Sequence, residues 1–227
     1  MLILPTKISN IVEEYLEAIY RLQEHKGIAK TGDLVEMLNV APGTVTNTIK
    51  RLEKNLLVIH EPYKGVQLTE KGRKVALDVI RRHRLLERLL TDLLDVEWDK
   101  AHDVACQLEH WISKDVTKKI ERVLKNPKTC PHGNPIPTEE GEIFEEKFYP
   151  LMELEVGEEG VIAKIIDEKS NFLRYFNEVG IRPGRRIEVI DKSPMDDLIM
   201  IRVNGKISAL SRNMASLIMI KESKDDT

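Results

Sequence analysis

The sequence predicts a multi-domain, mostly α-helical chain: a winged helix-turn-helix, a pair of longer helices, and a small β-barrel. Three observations carry that reading. Apolar residues recur at helical spacing from Ile11 to Ile112. Four of the ten prolines fall between Asn126 and Pro137, a stretch that cannot be regular structure and so closes the first part of the chain. Beyond Pro150 the apolar period drops to two, as in half-buried strands. The expected boundaries are 1–74 for the winged helix, 75–137 for the long helices, 138–149 for a linker and 150–227 for the barrel.

Asn10 is expected to cap the first helix, with Glu13 at its third position, and Ile11, Val12, Tyr15, Leu16, Ile19 and Leu22 make one apolar stripe that Gly27 ends. Thr31 to Leu38 reads as a short second helix, closed by the turn Asn39-Val40-Ala41. Pro42 suits the first turn of a third, where its missing N–H costs nothing. Val45, Ile49 and Leu52 point inward from that helix, leaving Thr44, Thr46, Asn47, Thr48, Lys50 and Arg51 as its outer face. Residues 57–60 and 66–69 flank the turn Pro62-Tyr63-Lys64-Gly65 and form a hairpin, the wing.

A long helix runs from Glu70 to about Leu94, carrying His83 and Glu87, and another starts near Asp99. Ala101, Val104, Ala105, Leu108, Trp111 and Ile112 give the latter a broader apolar side than one neighbouring helix needs; a homodimer is its natural use. Glu139 to Phe148 is expected to be one more short helix. Strands follow at Val161–Ile165, Ile187–Val189 and Ile199–Val203, with Asn204-Gly205 as a tight hairpin turn and a helix over Asn171–Val179.

A net charge of -3 gives no global sign of a nucleic-acid partner, but the charge is unevenly spread. Between Pro42 and Lys74, seven basic residues (Lys50, Arg51, Lys54, Lys64, Lys71, Arg73, Lys74) face three acidic ones (Glu53, Glu61, Glu70). A recognition helix needs short hydroxyl or amide side chains for base edges and cations for phosphates. Thr44, Thr46, Asn47, Thr48, Lys50, Arg51, Lys54 and Lys64 are therefore the candidate DNA contacts. No apolar run reaches the roughly 18 residues that span a bilayer, so no membrane partner and a cytoplasmic location are expected.

The densest chemistry lies in His-Asp-Val-Ala-Cys-Gln-Leu-Glu-His, residues 102–110. On a helix His102, Cys106 and His110 fall one turn apart and Glu109 sits three residues after Cys106, so one face offers imidazole, thiolate and carboxylate donors. His83 and Glu87 repeat the device at i,i+4. Three of the six histidines and one of the two cysteines concentrate here, which points to a transition-metal site. Cys130 and His132, two residues apart with no further ligand close in sequence, read as an ordinary loop, and two cysteines make no disulfide framework.

Together these residues resemble the diphtheria toxin repressor family of metal-dependent transcriptional regulators. The resemblance rests on Glu-Glu-Tyr-Leu-Glu-Ala-Ile-Tyr (13–20), Arg-His-Arg-Leu-Leu-Glu-Arg-Leu-Leu (82–90), residues 102–110 and Gly-Asn-Pro-Ile-Pro (133–137), and covers nearly the whole chain. It implies a winged-helix domain, a helical metal-binding and dimerisation domain, and an SH3-like C-terminal domain similar to FeoA. One metal site would use Cys106, Glu109 and His110, completed by a side chain of the first helix. An ancillary site would use His83, Glu87 and His102, with further ligands mapping near Glu168 and Asn171. Iron-responsive members have methionine where this chain has Glu14; the manganese-responsive branch has carboxylates matching Glu14 and Glu17, yet a glutamate where Cys106 stands. A thiolate favours iron, cobalt, nickel or zinc, and carboxylates move a site toward harder ions. Iron(II) is preferred and manganese(II) is the alternative, with cobalt, nickel or zinc able to substitute in vitro.

The expected function is a metal-activated repressor, a homodimer that binds double-stranded operator DNA and controls metal homeostasis. In a dimer the recognition helices must stand about 34 Å apart to enter successive major grooves, a geometry that a bound cation would fix. One rival is a zinc metalloenzyme with an accessory DNA-binding domain; no separate general base or oxyanion donors present themselves for it. The other is a DNA-binding sensor of an organic ligand, in which His102, Cys106 and His110 are core or ion-paired residues.

Overall fold

The computed structural model describes residues 8–144, 146–193 and 197–221. They form two compact units: the described residues up to Arg82 together with Pro137–Glu142, and His83–Ile136 with those from Ile143 onward.

In the first unit α1 (Asn10–Lys26), α2 (Thr31–Leu38) and α3 (Pro42–Lys54) are followed by a hairpin of β1 (Val58–Glu61) and β2 (Gly65–Leu68). Left-handed residues stop the first two helices: Gly27 at φ 75° and Asn39 at φ 51°. Pro42 occupies the first turn of α3, as the sequence predicts. Ser9 rather than Asn10 is the residue flanking α1, so Asn10 belongs to the helix itself. Leu16, Ile19, Leu34, Val45, Ile49 and Leu52 are the buried centre of this three-helix arrangement. A bridge between Ala29 and Val66 ties the wing to the segment before α2. The wing therefore leaves the helices from a fixed base.

α4 (Glu70–Asp92) is the long helix expected from the pattern, two residues shorter at its end. The second unit continues with α5 (Ala101–Leu108), a 3-10 turn over Glu109–Trp111, and α6 (Lys114–Val123). Two expectations are corrected here. The helix carrying residues 102–110 ends at Leu108, so Glu109 and His110 sit on the tighter turn and not on a continuous α-helical face. Residues 139–148 contain no helix among those described: Thr138 N donates to Glu142 O (2.8 Å) and Gly141 has φ +84°, which turns the chain instead of extending it. Leu85, Leu86, Leu90, Ala101, Ala105, Ile120 and Ile136 form the helical core.

The C-terminal part is a six-stranded antiparallel sheet in the order β3-β8-β4-β5-β6-β7. Its strands are β3 (Tyr149–Pro150), β4 (Glu159–Ile165), β5 (Arg186–Ser193), β6 (Leu198–Val203), β7 (Lys206–Ser211) and β8 (Ile218–Lys221), with α7 (Ser170–Val179) and α8 (Arg212–Ser216) between them. Irregularities at Ile162/Lys164 and Val189/Asp191 bend β4 and β5. Ile187, Val189, Ile199, Ile201 and Val203 alternate inward as the period of two requires; in β4 the expected inward pair Val161 and Ala163 is only partly buried, and the bulge instead puts Ile162 and Ile165, three residues apart, in the core with Leu173 and Phe176 of α7. The β6–β7 turn is Asn204-Gly205, both at positive φ (51° and 78°), the conformation a two-residue hairpin demands.

Candidate functional site

In the first unit the outer face of α3 exposes Thr44, Thr46, Asn47, Lys50, Arg51 and Lys54. The Thr46 hydroxyl donates to the carbonyl of Pro42 (3.0 Å) and so already has a partner in the helix. Thr48 departs from the expected contact set. It is only 7% exposed, because it follows Val45 by three residues and precedes Leu52 by four, which places it on the inner face. Lys64 stands at the wing tip, where its Nζ lies 2.7 Å from Glu61 Oε2. Of the candidate first-helix ligands, Glu14 is exposed on α1 and Glu17 is buried, accepting a hydrogen bond from Arg21 Nε (2.9 Å).

In the second unit the i,i+4 pair of α4 points both side chains into a fully buried space. His83 Nδ1 donates to Glu109 Oε2 (2.7 Å) and Nε2 to Glu87 Oε1 (3.0 Å). Across from them His102 Nδ1 approaches the same Glu87 oxygen at 3.3 Å, and Cys106 Sγ lies 3.6 Å from His102 Nε2. His110 Nε2 is 3.3 Å from Glu109 Oε1. Cys106 opens this region to solvent while Glu109 is buried.

The loop that was expected to be ordinary joins the same cluster. Cys130 and His132 meet Glu87 and Glu168, all four buried and each with a donor atom within 4.8 Å of the others. His132 Nδ1 lies 3.2 Å from Glu87 Oε1 and 3.5 Å from Glu168 Oε1, while its Nε2 donates to the Trp98 carbonyl (3.1 Å). Gly-Asn-Pro explains the placement. A Cβ at Gly133, which has φ +88°, would stand 2.1 Å from the Ala163 carbonyl, so only glycine lets this loop lie against β4. Asn134 Nδ2 then donates to Ile165 O (2.9 Å) and Glu168 Oε1 (2.7 Å), and Ile165 N donates to His132 O (2.9 Å). Glu168 thus takes part in the cluster, near where the resemblance places a further ligand.

Charge and proton are shared unevenly in this cluster. Burial pulls the His83 and His132 imidazoles down, but the Glu87 charge and hydrogen bonds to cysteine and carboxylate partners hold both well above the usual histidine range. Against the same burial, hydrogen bonds to Cys106 and Glu87 raise His102 to about 9. Burial opposes ionisation of Glu87, yet the neighbouring imidazoles keep it well below the usual carboxylate range. Cys106, although burial raises it, is drawn below a free thiol by His102 and His83; Cys130 is pushed up to about 11 by burial and by Glu87 and Glu168. Glu87 Oε2 is buried without a hydrogen-bond partner among the described residues. An ionised carboxylate oxygen in that position is costly unless a cation reaches it. Imidazole, thiol and carboxylate groups gathered around the Glu87 carboxylate, with His83 Nδ1 held by Glu109 and His132 Nε2 by the Trp98 carbonyl, fit a divalent transition metal.

Three family models tile the sequence: the iron dependent repressor N-terminal DNA-binding domain over residues 7–66, the iron dependent repressor metal-binding and dimerisation domain over 69–138, and the FeoA domain over 149–222. The diphtheria toxin repressor of Corynebacterium diphtheriae is 32% identical over 92% of this chain and 96% of its own length. The chain belongs to the diphtheria toxin repressor family. The iron-dependent repressor IdeR of Mycobacterium leprae is 30% identical over the same shares of the two chains. This repressor also resembles a solved manganese-dependent transcriptional repressor in complex with manganese (TM-score 0.86, 32% identity, covering 93% of this chain and all of that one). ScaR with bound Cd2+ is similar as well (TM-score 0.82, 29% identity, 93% and 99% covered). The family is one of metal-dependent transcriptional repressors, not of enzymes, so the metalloenzyme reading falls away. Among the described residues no helix is long and apolar enough to cross a membrane.

Proposed function

We propose that this repressor is a cytoplasmic homodimer that binds operator DNA when loaded with iron(II) and so controls metal homeostasis. The observation that carries the metal part is the convergence of His83, His102, Cys130, His132 and Glu168 on the buried Glu87 carboxylate, whose second oxygen, Oε2, has no hydrogen-bond partner among the described residues. One thiol and three imidazoles among these donors favour a borderline ion over a hard one, and iron(II) binds such ligands more tightly than manganese(II) does. Exposed Leu108, Trp111, Val116 and Val123, on α5, the 3-10 turn and α6, supply the apolar surface for a second copy. Asn47 would read a base edge, and Lys50, Arg51, Lys54 and Lys64 would meet phosphates.

The family resemblance supports Cys106, Glu109 and His110 as the activating ligands, with Glu14 and Glu17 as the reading head's contribution. A cation held by both parts restricts the head to orientations that suit DNA, and the apparent operator affinity rises with the competent fraction. Linkage then requires operator DNA to tighten metal binding by the same factor.

The test is an anaerobic titration of operator binding against iron(II) and against manganese(II), with a chelator control. Tight binding at lower free iron than manganese is expected, and Cys106→Ala or His110→Ala should abolish the metal stimulation while leaving the fold intact. Metal-independent binding would contradict the reading; a response to manganese alone would assign the repressor to that ion.

A further inference from the structure

The wing ends on a residue that the fold itself does not use. Lys64 N donates to Glu61 O (3.1 Å), closing a four-residue turn with Pro62 second and Tyr63 third, the latter at φ 65°. Proline second and a positive φ third mark a type II turn, whose third position normally falls to glycine or asparagine. A bulky side chain is strained there. Tyr63 is nevertheless fully exposed, so its ring buries nothing against the chain that would offset the strain. Strained backbone and an unpacked aromatic ring coincide at one tip, and both point outward to a partner.

The tip stands on a fixed base. Ala29 and Val66 exchange both backbone hydrogen bonds (2.8 and 3.2 Å), and Leu68 N donates to Gln23 Oε1 of α1 (2.9 Å). A Cβ at Gly65, which has φ +146°, would stand 2.6 Å from Ala29 O, so only glycine lets β2 begin this close to the segment before α2. On the other strand His60 N lies 3.4 Å from Glu53 Oε1, which sets β1 beside the last turns of α3, where Lys50, Arg51 and Lys54 are exposed. Lys64 adds a cation one residue from the ring.

We propose that Tyr63 enters the minor groove of the operator, next to the major groove that α3 takes, and gives this repressor a preference for A·T pairs there. The proposal rests on the reading of this unit as the operator-binding head, and adds to it a second place where sequence is read. The minor groove of B-DNA is about 6 Å wide and about 7.5 Å deep, which admits a ring held edge-on between the sugars but not an α-helix. At A·T pairs its floor shows only the acceptors N3 of adenine and O2 of thymine, to which the tyrosine hydroxyl can donate. A G·C pair adds the N2 amino group of guanine, which stands in the way of the ring. Narrow A·T-rich grooves also concentrate negative potential, which suits Lys64 on the flanking phosphates.

The test uses the full chain loaded with manganese(II) and a duplex that it selects from a random pool. Three versions of that duplex carry A·T, G·C or inosine·cytosine pairs on either side of the positions that α3 reads. Inosine lacks the amino group and keeps the major-groove edge of guanine. The unaltered chain should bind the G·C version about tenfold more weakly than the A·T version, and inosine should restore the affinity. Tyr63→Gly should bind all three alike, at the level the unaltered chain shows for G·C, and should unfold at no lower urea concentration, because glycine suits the turn. A glycine variant that keeps the full affinity and the preference, or that loses affinity equally for all three while keeping the preference, would overturn the role of Tyr63. Equal binding of the unaltered chain to all three versions would overturn the minor-groove contact without any variant. Absence of metal-stimulated binding to any duplex would instead overturn the operator-binding reading on which the proposal rests.

Discussion

The Cys106/Glu109/His110 group and the Glu87/Cys130/His132/Glu168 group lie in one unit and differ in how they are assembled. The first comes from five consecutive residues at the end of α5 and reaches solvent through Cys106. The second is drawn from α4, the proline-rich loop and the segment before α7, and every member is buried. A group near the surface can exchange its ion with the cell, which suits a sensor. A buried group whose ligands tie a helix, a loop and the C-terminal sheet together makes bound metal part of the fold. On the proposed reading, the difference would give metal in this unit two roles, response and construction.

The largest expected effect separates those roles. Glu87→Ala strips the countercharge from the buried His83 and His132 and the half-buried His102, and should destabilise the metal-free protein by about 3–5 kcal/mol, read by urea unfolding with chelator present. His110→Ala, at the other group, should change that stability by less than about 1 kcal/mol. Equal losses for the two would erase the distinction.

Protons give the next largest effect. His102, raised from 6.5 to about 9, keeps its proton in the metal-free protein until the pH approaches that value, and a cation must displace it. For this one proton, metal affinity should rise about tenfold per pH unit from 6.5 toward 9 and then level off. Stability of the chelated protein should move the opposite way. The raised pKa contributes stability that is complete below 6.5 and is lost as pH rises through about 9. Proton release on metal addition and thermal unfolding with chelator measure the two arms.

Smaller effects belong to the reading head. Asn47→Ala should relax preference at one base position, costing about 1–3 kcal/mol on the cognate operator, whereas Arg51→Ala should weaken all sequences alike and lower the salt slope by about one. Thr48→Val should leave operator affinity unchanged, because this side chain faces the core; a loss matching that of Asn47→Ala would return it to the DNA face.

What was legible in the sequence follows from the range of the interactions involved. Helices with continuous apolar stripes and marked ends, such as α1 to α4, were readable, as was the Asn204-Gly205 turn, since both are decided within a few residues. The α6 helix was missed although Ser113 caps it, accepting from Val116 N (3.3 Å), and Val116, Ile120 and Val123 recur at helical spacing. Its charged composition hid that stripe. Thr48 was misplaced because a hydroxyl was counted with the polar face, when its position in the helical period sends it inward. His83, Glu87 and His102 were found by spacing on one helix or the next. Cys130 and His132 were set aside because their partners are remote in sequence: Cys130 Sγ meets Glu168 across 38 residues, and only the fold of the second unit brings them together.

The most direct measurement is anomalous diffraction at the iron edge from crystals grown anaerobically with excess iron(II). The account predicts ions held by Cys106, Glu109 and His110 and, separately, within the Glu87/Glu168 cluster. An anomalous map without density at Cys106, Glu109 and His110 in metal-saturated crystals would contradict it.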